Sequence, residues 1–459
     1  MIEPGKEIHF VGIGGIGMSA LAQICQARGL RVSGCDSRLS DAARRLQTQE
    51  ISVALGHEPS HVHDDVGLVV YSSAVKTDQP ELREARRRGV PIVTRGELLA
   101  ALARSNRLIA VAGSHGKTTT TAMATHLLIQ AGWDPTAVVG GVVRTLGSNA
   151  RCGRGRYLVA ETDESDGSFL LLHPEVAIVT NIDQEHLNHY GDFGTLLGAF
   201  QQFVRNLTPE GLLIRCDDDP WVRRLPRRHR QLTYGFDPNA DVTAGQVQLQ
   251  GAGTTFHPRL HGRGLGTFAL QVPGRHNVLN ALGVIALGMM LELPLVTMRE
   301  ALAAFRGVQR RFELVRLPHD VWFVEDYAHH PSEIRATLEA DSTRDRYRLV
   351  VFQPHRFTRT QRLEREFAAC FDRADGVIVT DIYSAFEPPI PGVSGSRLAE
   401  LIKAHGHPCV RYVPRGELSA FVRQVAHPGE TVFFLGAGDI GEVCHVVADR
   451  LRATTRAVG

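Results

Sequence analysis

Residues 107–121 read RLIAVAGSHGKTTTT: an apolar run, a turn made of Gly113, Ser114, His115 and Gly116, then Lys117 and four threonines. The apolar run reads as a buried strand, and the residues after the turn as a helix opening on Thr118 and Thr119. A strand that feeds a helix through a glycine turn gathers backbone N–H groups at the helix N-terminus, where phosphate oxygens are held. Lys117 would then reach the outer phosphates and Thr118 would ligate magnesium. Val111 stands where the generic phosphate loop has its first glycine, so the string alone could be a surface turn. Lysine usage argues against that. Among 51 basic residues only Lys6, Lys76, Lys117 and Lys403 are lysines. A chain that otherwise uses arginine, yet sets a lysine after this glycine, needs a compact ammonium there.

The same strand-to-helix grammar runs in both directions from this loop. Upstream, EIHFVGIGG, LRVSGCD, GLVVYSSAV and VPIVTRG read as strands with helices or turns between them. Downstream, RYLVAETDESDG and VAIVTNIDQEH are strands ending in polar residues, which in an open α/β sheet is where ligands sit. From Leu232 to Thr267 the chain turns rich in Gly, Thr and Gln, which predicts a small antiparallel insertion in the second unit. After the apolar helix GRHNVLNALGVIALGMML, the stretch FRGVQRRFE reads as a junction. A third series comes next: DVWFVEDYAHHP, YRLVVFQPHR, DGVIVTDIY and ETVFFLGAGD. The expectation is an α/β fold of three domains with parallel sheets, spanning 1–105, 106–310 and 311–459. A chain of 459 residues is long enough for that number.

Composition excludes several classes. With 43% hydrophobic and 22% charged residues the chain is of globular type, and a net charge of +2 without long one-sign blocks does not suggest nucleic-acid binding. The seven cysteines show no C-x-x-C spacing and are expected to be reduced thiols rather than disulfides or a zinc site. The N-terminal segment lacks a signal-peptide pattern and no run of about 18 apolar residues occurs, so no membrane insertion and a cytoplasmic location are expected.

A second glycine loop, Gly12, Gly14, Gly15, Ile16 and Gly17, follows the strand EIHFV, and Asp36 ends the next strand. That is the dinucleotide fingerprint in its proper setting: a tight turn, close approach to a pyrophosphate, and an acid for a ribose hydroxyl. The geometry recognises a diphosphate and ribose, so a UDP-sugar serves as well as NAD(P). A similar string, Gly436, Gly438 and Gly441, lacks the following acid-tipped strand and reads as a plain strand-to-helix turn.

Glu161, Asp163, Glu164 and Asp166 end one strand, and Asp183 with His186 the next. Acid clusters commonly mark solvated loops, but a cation beside a phosphate loop needs carboxylate oxygen, for which Glu161 is the first candidate. Asn277 and Asn280 lie one turn apart on a helix and could cap it or hold an adenine edge. Asp326, Tyr327, His329, His330, His355, Arg356 and Arg359 come just after apolar strands. The His pair has no third zinc ligand with suitable spacing, and the cluster better suits an anionic group.

In this order FVGIGGIGMSALA, GSHGKTTTT, ETDESDGSF, GRHNVLNA, RRFE, DYAHHPSEI, FQPHRFTRT and DIYSAFE resemble the Mur ligase family along nearly the whole chain. The resemblance implies an N-terminal Rossmann-like domain holding a UDP-sugar, a central P-loop ATPase-type domain and a C-terminal Rossmann-like domain. It also implies ATP-dependent addition of L-alanine to UDP-N-acetylmuramic acid, through attack of the lactyl carboxylate on the γ-phosphate and displacement of the acyl phosphate by the amine. By the same carry-over Gly113 to Thr119, Asn277, Asn280, Arg311 and Asp326 would bind ATP. Thr118, Glu161 and His186 would hold magnesium, and Lys117, Glu161, His186 and Arg311 would be catalytic. Gly12 to Gly17, Asp36, Ser72 and Ser73 would hold the UDP-sugar, while Tyr327, His329, His355, Arg356 and Arg359 would receive the amino acid and the sugar's carboxylate.

The chain departs from the family at Ser114, which replaces a threonine, and at Glu325, which replaces another acid. It also has no lysine between Lys117 and Lys403 to be carbamylated, so His186 and carboxylates must suffice for any second metal. Three rivals remain: another Mur ligase such as the tripeptide-recycling enzyme, an NAD(P) oxidoreductase, and a nucleotide-dependent switch.

Overall fold

A computed structural model describes residues 5–227, 229–251, 253–341 and 345–456; the first four residues, on which the reading of the N-terminal segment partly rests, lie outside them. The described chain contains three separate sheets. The first has strands β1 (Glu7–Val11), β2 (Arg31–Asp36), β3 (Ser52–Leu55), β4 (Val66–Tyr71) and β5 (Ile92–Thr94), all parallel, in the order β3-β2-β1-β4-β5. Strand β1 is buried along its whole length, as a central strand of a parallel sheet covered on both faces should be, although Glu7 and His9 interrupt its apolar residues. The order reverses on either side of β1, so the Gly12–Gly17 loop leaves the sheet at its switch point, where a crevice forms.

The central sheet is built from β6 (Arg107–Ala112), β7 (Thr136–Val143), β8 (Ser148–Arg151), β9 (Tyr157–Glu161), β10 (Val176–Val179), β11 (Leu212–Cys216) and β12 (Arg230–Gly235), in the order β8-β7-β9-β6-β10-β11-β12. Only β8 is antiparallel in this stretch. The sheet continues into β13 (Val242–Gln250), β14 (Gly253–Leu260) and β15 (Arg263–Gly264), with β16 (Phe268–Leu270) against β14. The β14–β15 pair is antiparallel, in the stretch where an antiparallel insertion is expected. Strand β6 again lies at a reversal, between β9 and β10, and feeds the phosphate loop.

The third sheet runs β17 (Glu313–Leu317), β18 (Val321–Asp326), β22 (Glu430–Leu435), β19 (Tyr347–Phe352), β20 (Gly376–Val379) and β21 (Val410–Tyr412), antiparallel only at the β17 edge. Alternate residues of β22 serve opposite faces: Val432 and Phe434 join one core, Phe433 and Leu435 the other. Covering both faces is what makes these strands continuous apolar runs.

These sheets make a three-domain α/β architecture with Rossmann-like outer domains. By contact the chain forms two compact units, one of Met1–Gln246, Phe256–Phe268 and Leu279–Gly307, the other of Val247–Thr255, Ala269–Val278 and Val308–Gly459. The first unit joins the first two sheets through one core, in which Leu98 and Leu99 pack with Phe169 and Leu172. Polar contacts reinforce it: Asn149 Nδ2 donates to the Ile16 carbonyl at 2.6 Å, at the start of the helix Ile16–Ala27. Among the described residues no helix is long and apolar enough to cross a membrane.

Candidate active site

The phosphate loop sits between β6 and the helix Lys117–Gln130, and Gly116, which precedes the helix as its N-cap, has φ 81°. Gly113 has φ 135°, and a Cβ there would lie 2.1 Å from Thr180 Oγ1, so a glycine is required on both counts. Gly113→Ala is expected to disorder the loop, destabilising the fold by about 1–3 kcal/mol and weakening nucleotide binding. Thermal melts and ATP titration check this, and unchanged binding would refute it.

The loop is braced from the end of β10. The His115 N–H donates to Asn181 Oδ1 at 2.8 Å, while Thr180 Oγ1 and Asn181 Nδ2 donate to the His115 carbonyl at 2.7 and 2.9 Å. Ser114 Oγ accepts the Asp183 N–H at 2.8 Å, and His115 Nε2 lies 3.0 Å from Asp183 Oδ2.

Lys117 folds back over the loop. Its Nζ donates to the carbonyls of Gly113 at 2.5 Å and Ser114 at 3.2 Å, and to Glu164 Oε1 at 2.7 Å. Burial alone would lower the ammonium's pKa, but Glu164, Glu161 and Asp163 outweigh it and raise it above its ordinary value. The ammonium therefore stays charged. Thr118 Oγ1 donates to Glu161 Oε1 at 2.9 Å, and Glu161 Oε2 accepts the Gly140 N–H at 2.6 Å. His186, with φ 55°, places Nε2 3.5 Å from both Glu164 Oε1 and Glu185 Oε2. Asn280 Oδ1 would lie 2.5 Å from a Cβ on Gly116, which sets its amide against the loop. Lys117, Thr118, Glu161, His186 and Asn280 are thus gathered around one strand end. Glu164, Thr180 and Asn181 belong with them, although the sequence singled out neither of the last two.

The Gly12–Gly17 loop has its own brace. The Gly14 N–H donates to Asp36 Oδ2 at 2.9 Å, and Ser40 Oγ to the Gly14 carbonyl at 3.0 Å. Asp36 holds the loop it was expected to complement. Gly15 caps the helix Ile16–Ala27, and a Cβ on Gly17 would meet Arg95 Cδ at 3.0 Å. Ser72 and Ser73 come directly after β4, beside the loop that leaves its neighbour β1. Arg95 in turn pairs with Asp163 Oδ2 at 2.8 Å, linking this loop to the acidic turn that carries Glu164.

In the second unit, Tyr327, His329, His355 and Arg359 form one cluster. The ring of His329 lies 5.3 Å from Tyr327 and 5.7 Å from His355, and Arg359 donates to His355 Nδ1 at 3.1 Å. Burial, then the neighbouring His329, Arg359 and Arg356, push His355 down to about 2, so it stays neutral and accepts. Arg356 is more exposed, with φ 71° and Glu387 3.7 Å away. Arg310 and Arg311 both lie over the Tyr327 ring, at 5.1 and 5.0 Å. His330 caps the helix Pro331–Ala340, and Asn277 Nδ2 donates to the Pro273 carbonyl at 2.7 Å. The Gly436 turn is filled by its own neighbours: Arg310 donates to the carbonyls of Gly436 and Gly438 at 3.0 and 2.9 Å.

Asp326 turns both oxygens to backbone, Oδ1 accepting the Ala328 N–H and Oδ2 the Phe312 N–H, each at 2.8 Å. Burial pushes its carboxyl up to about 6 against the pull of Arg311. The folded state thus keeps this proton to a higher pH than the unfolded chain. Its stabilising contribution is full below about pH 4 and is lost as pH rises through about 6. The difference is on the order of 3 kcal/mol. Urea midpoints between pH 4 and 7 are expected to fall more steeply in the wild type than in Asp326→Asn; parallel curves would count against this.

Family descriptions match in series: "Mur ligase family, catalytic domain" at residues 7–107, "Mur ligase middle domain" at 111–288 and "Mur ligase, glutamate ligase domain" at 310–438. A UDP-N-acetylmuramate–L-alanine ligase of Anaeromyxobacter sp. (strain Fw109-5) is 50% identical over 440 residues, 95% of this chain and 96% of that protein. The chain belongs to the Mur ligase family. A second relative, the UDP-N-acetylmuramate–L-alanine ligase of Sorangium cellulosum (strain So ce56), is 46% identical over 98% of this chain and 97% of its own length. Among solved structures, the UDP-N-acetylmuramate–alanine ligase of Thermotoga maritima aligns with TM-score 0.85 at 32% identity, covering 98% of this chain and 99% of that one. A murein peptide ligase of Psychrobacter arcticus shares the fold with TM-score 0.72 at 23% identity, covering 97% and 99%. As a Mur ligase the chain is an ATP-dependent acid–amino-acid ligase, so the first glycine loop does not mark an oxidoreductase.

Proposed function

We propose that this Mur ligase joins L-alanine to the lactyl carboxylate of UDP-N-acetylmuramic acid, with ATP cleaved to ADP and phosphate, in peptidoglycan precursor synthesis. The observation that carries the chemistry is the buried Lys117 ammonium, held by two loop carbonyls and Glu164 beside the Thr118–Glu161 pair. The relatives at 46% and 50% identity carry the choice of substrates.

In the reaction the lactyl carboxylate attacks the γ-phosphate and ADP leaves; the alanine amine then attacks the acyl carbon, phosphate leaves, and the amine's proton is lost. Charge spreads over the transferring phosphoryl group, and a fixed ammonium at Lys117 stabilises it without reorganising. Thr118 and Glu161 would hold magnesium, with His186 at a second ion. The 2.9 Å between Thr118 Oγ1 and Glu161 Oε1 suits adjacent ligands of an octahedral ion with metal–oxygen distances of about 2.0–2.1 Å. Magnesium, when bound, neutralises phosphoryl charge. Asn280 and Asn277 would serve the adenine side, and Arg311 and Asp326 the nucleotide. The Gly12–Gly17 loop, Asp36, Ser72 and Ser73 would hold the UDP-sugar. Tyr327, His329, His355, Arg356 and Arg359 would receive the amino acid and the sugar's carboxylate. We assign domain boundaries at 1–105, 106–310 and 311–459, and a cytoplasmic site of action.

The deciding experiment mixes protein, ATP, magnesium and UDP-N-acetylmuramic acid with L-alanine or with a preformed tripeptide. L-alanine-dependent ADP release and the matching amide product are expected. Preference for the tripeptide would reassign the enzyme to recycling, and tight NADH binding would count against the use of the first loop.

A further inference from the structure

Beneath the Gly12–Gly17 loop, four side chains from separate parts of the first sheet's domain converge. Cys35 comes from β2, His57 and His61 from the segment after β3, and Glu81 from the helix Pro80–Arg88. Glu81 is wholly buried. Its Oε1 accepts the Glu58 N–H at 2.9 Å and the Cys35 thiol at 3.2 Å, and lies 3.2 Å from His57 Nδ1 and 3.0 Å from His61 Nδ1. Cys35 Sγ is 3.6 Å from His57 Nδ1. Yet Glu81 Oε2, equally buried, has no hydrogen-bond partner, and neither has Nε2 of His9, which is 2% exposed. Ligating atoms of His9, Cys35 and His61 lie within 4.8 Å of one another.

As a plain hydrogen-bond network this is poorly arranged, because four groups crowd one carboxylate oxygen while the other faces none. As a ligand set it is well arranged. Zinc–sulfur bonds of about 2.3 Å and zinc–nitrogen or zinc–oxygen bonds of about 2.0–2.1 Å at tetrahedral angles put ligand atoms roughly 3.3–3.6 Å apart. The separations from Glu81 Oε1 to Cys35, His57 and His61 and from Cys35 to His57 run from 3.0 to 3.6 Å, and Cys35, His57 and Glu81 keep their ligating atoms within 4.8 Å of one another. A divalent ion with one thiolate, one carboxylate and two neutral imidazoles also sums to zero charge, which a buried site tolerates. Thiol and imidazole donors exclude magnesium and select zinc-like ions.

We propose that Cys35, His57, His61 and Glu81 form a closed, four-ligand site for a zinc-type transition-metal ion, separate from the phosphate chemistry, with His9 packed beside it. Its place suggests its use. The Cys35 carbonyl accepts the N–H groups of Gly12 at 2.8 Å and Ile13 at 3.1 Å, so an ion on the Cys35 sulfur anchors the base of the first glycine loop. The His57 and His61 side chains keep 18% and 16% of their surface open, which leaves the ion a way in. Without the ion, burial and the neighbouring Glu81 push the Cys35 thiol up; a bound cation reverses that by stabilising the thiolate.

The test uses the full chain, reduced and stripped with a chelator, then titrated with cobalt(II) and zinc(II). One cobalt per chain is expected, with a thiolate-to-cobalt charge-transfer band and tetrahedral visible absorption, bleached by one equivalent of zinc and untouched by excess magnesium. Cys35→Ser should abolish the band, and His61→Ala should weaken zinc at least tenfold. Cobalt binding without the band, a band that survives Cys35→Ser, or displacement by magnesium would overturn the proposal. Should either variant fail to fold, X-ray absorption of the zinc-loaded wild type decides: one sulfur and three nitrogen or oxygen neighbours support the site, and an all-oxygen shell removes it.

Discussion

Replacing Lys117 by alanine is expected to lower the rate of amide formation by on the order of 10³-fold or more, the scale set by losing a preorganised charge at a transferring phosphoryl group. The side chain has no substitute nearby, since no other lysine lies between Lys76 and Lys403. Part of the loss could arise from stability, because the change strands Glu164, only 1% exposed, without its ammonium partner. Removing one member of such a buried pair costs about 3–5 kcal/mol. The double variant Lys117→Ala with Glu164→Gln separates the two effects: it should recover stability and remain inactive. Lys117→Arg should also fail, because a planar guanidinium cannot place a compact charge among the Gly113 and Ser114 carbonyls. Single-turnover ADP release is the measurement; turnover within tenfold of wild type in any of these variants would defeat the assignment.

What the sequence disclosed was local. Strands β6 and β22 carry continuous apolar runs and β1 a largely apolar one, each ending in a glycine turn, and such runs report themselves without tertiary information. The edge strand Ser52–Leu55 went unrecognised because its residues are half-buried or exposed, with no strong pattern. Partners were harder than elements. ETDESDG offers four acids in six positions, and only the fold shows that Glu161 faces Thr118 while Glu164 takes Lys117 and Asp163 takes Arg95. Thr180 and Asn181 brace a loop some 65 residues away, beyond the reach of spacing arguments. The same distance hides the Cys35, His57, His61 and Glu81 cluster: without a C-x-x-C pair the sequence predicts reduced thiols rather than a zinc site, and only the fold brings Cys35 of β2, the two histidines after β3 and Glu81 of the helix Pro80–Arg88 within reach of one another. The acid Asp36 is legible in the sequence as the end of the second strand, and the fold uses it to hold the Gly14 N–H.

Glu161→Gln is expected to lower kcat by on the order of 10²-fold and to raise the magnesium needed for half-maximal rate by about 10- to 100-fold. The two effects share a cause. Glu161 Oε1 lies against the Thr118 hydroxyl, and Oε2 holds the Gly140 N–H; a Cβ on Gly140 would stand 2.4 Å from Oε2, so the strand approaches this carboxylate only because it carries glycine there. An amide keeps the shape and one acceptor but removes the negative charge, and its NH₂ group either faces the Gly140 N–H or displaces the acceptor from Thr118. The charge, not the volume, is what a hard cation needs. Magnesium should therefore partly rescue Glu161→Gln and leave Lys117→Ala unrescued, which distinguishes a metal ligand from a phosphate contact. If the magnesium requirement of Glu161→Gln matches that of the wild type, Glu161 serves only to hold Gly140 and Thr118 in register, and the cation must be assigned to other carboxylates of the same turn.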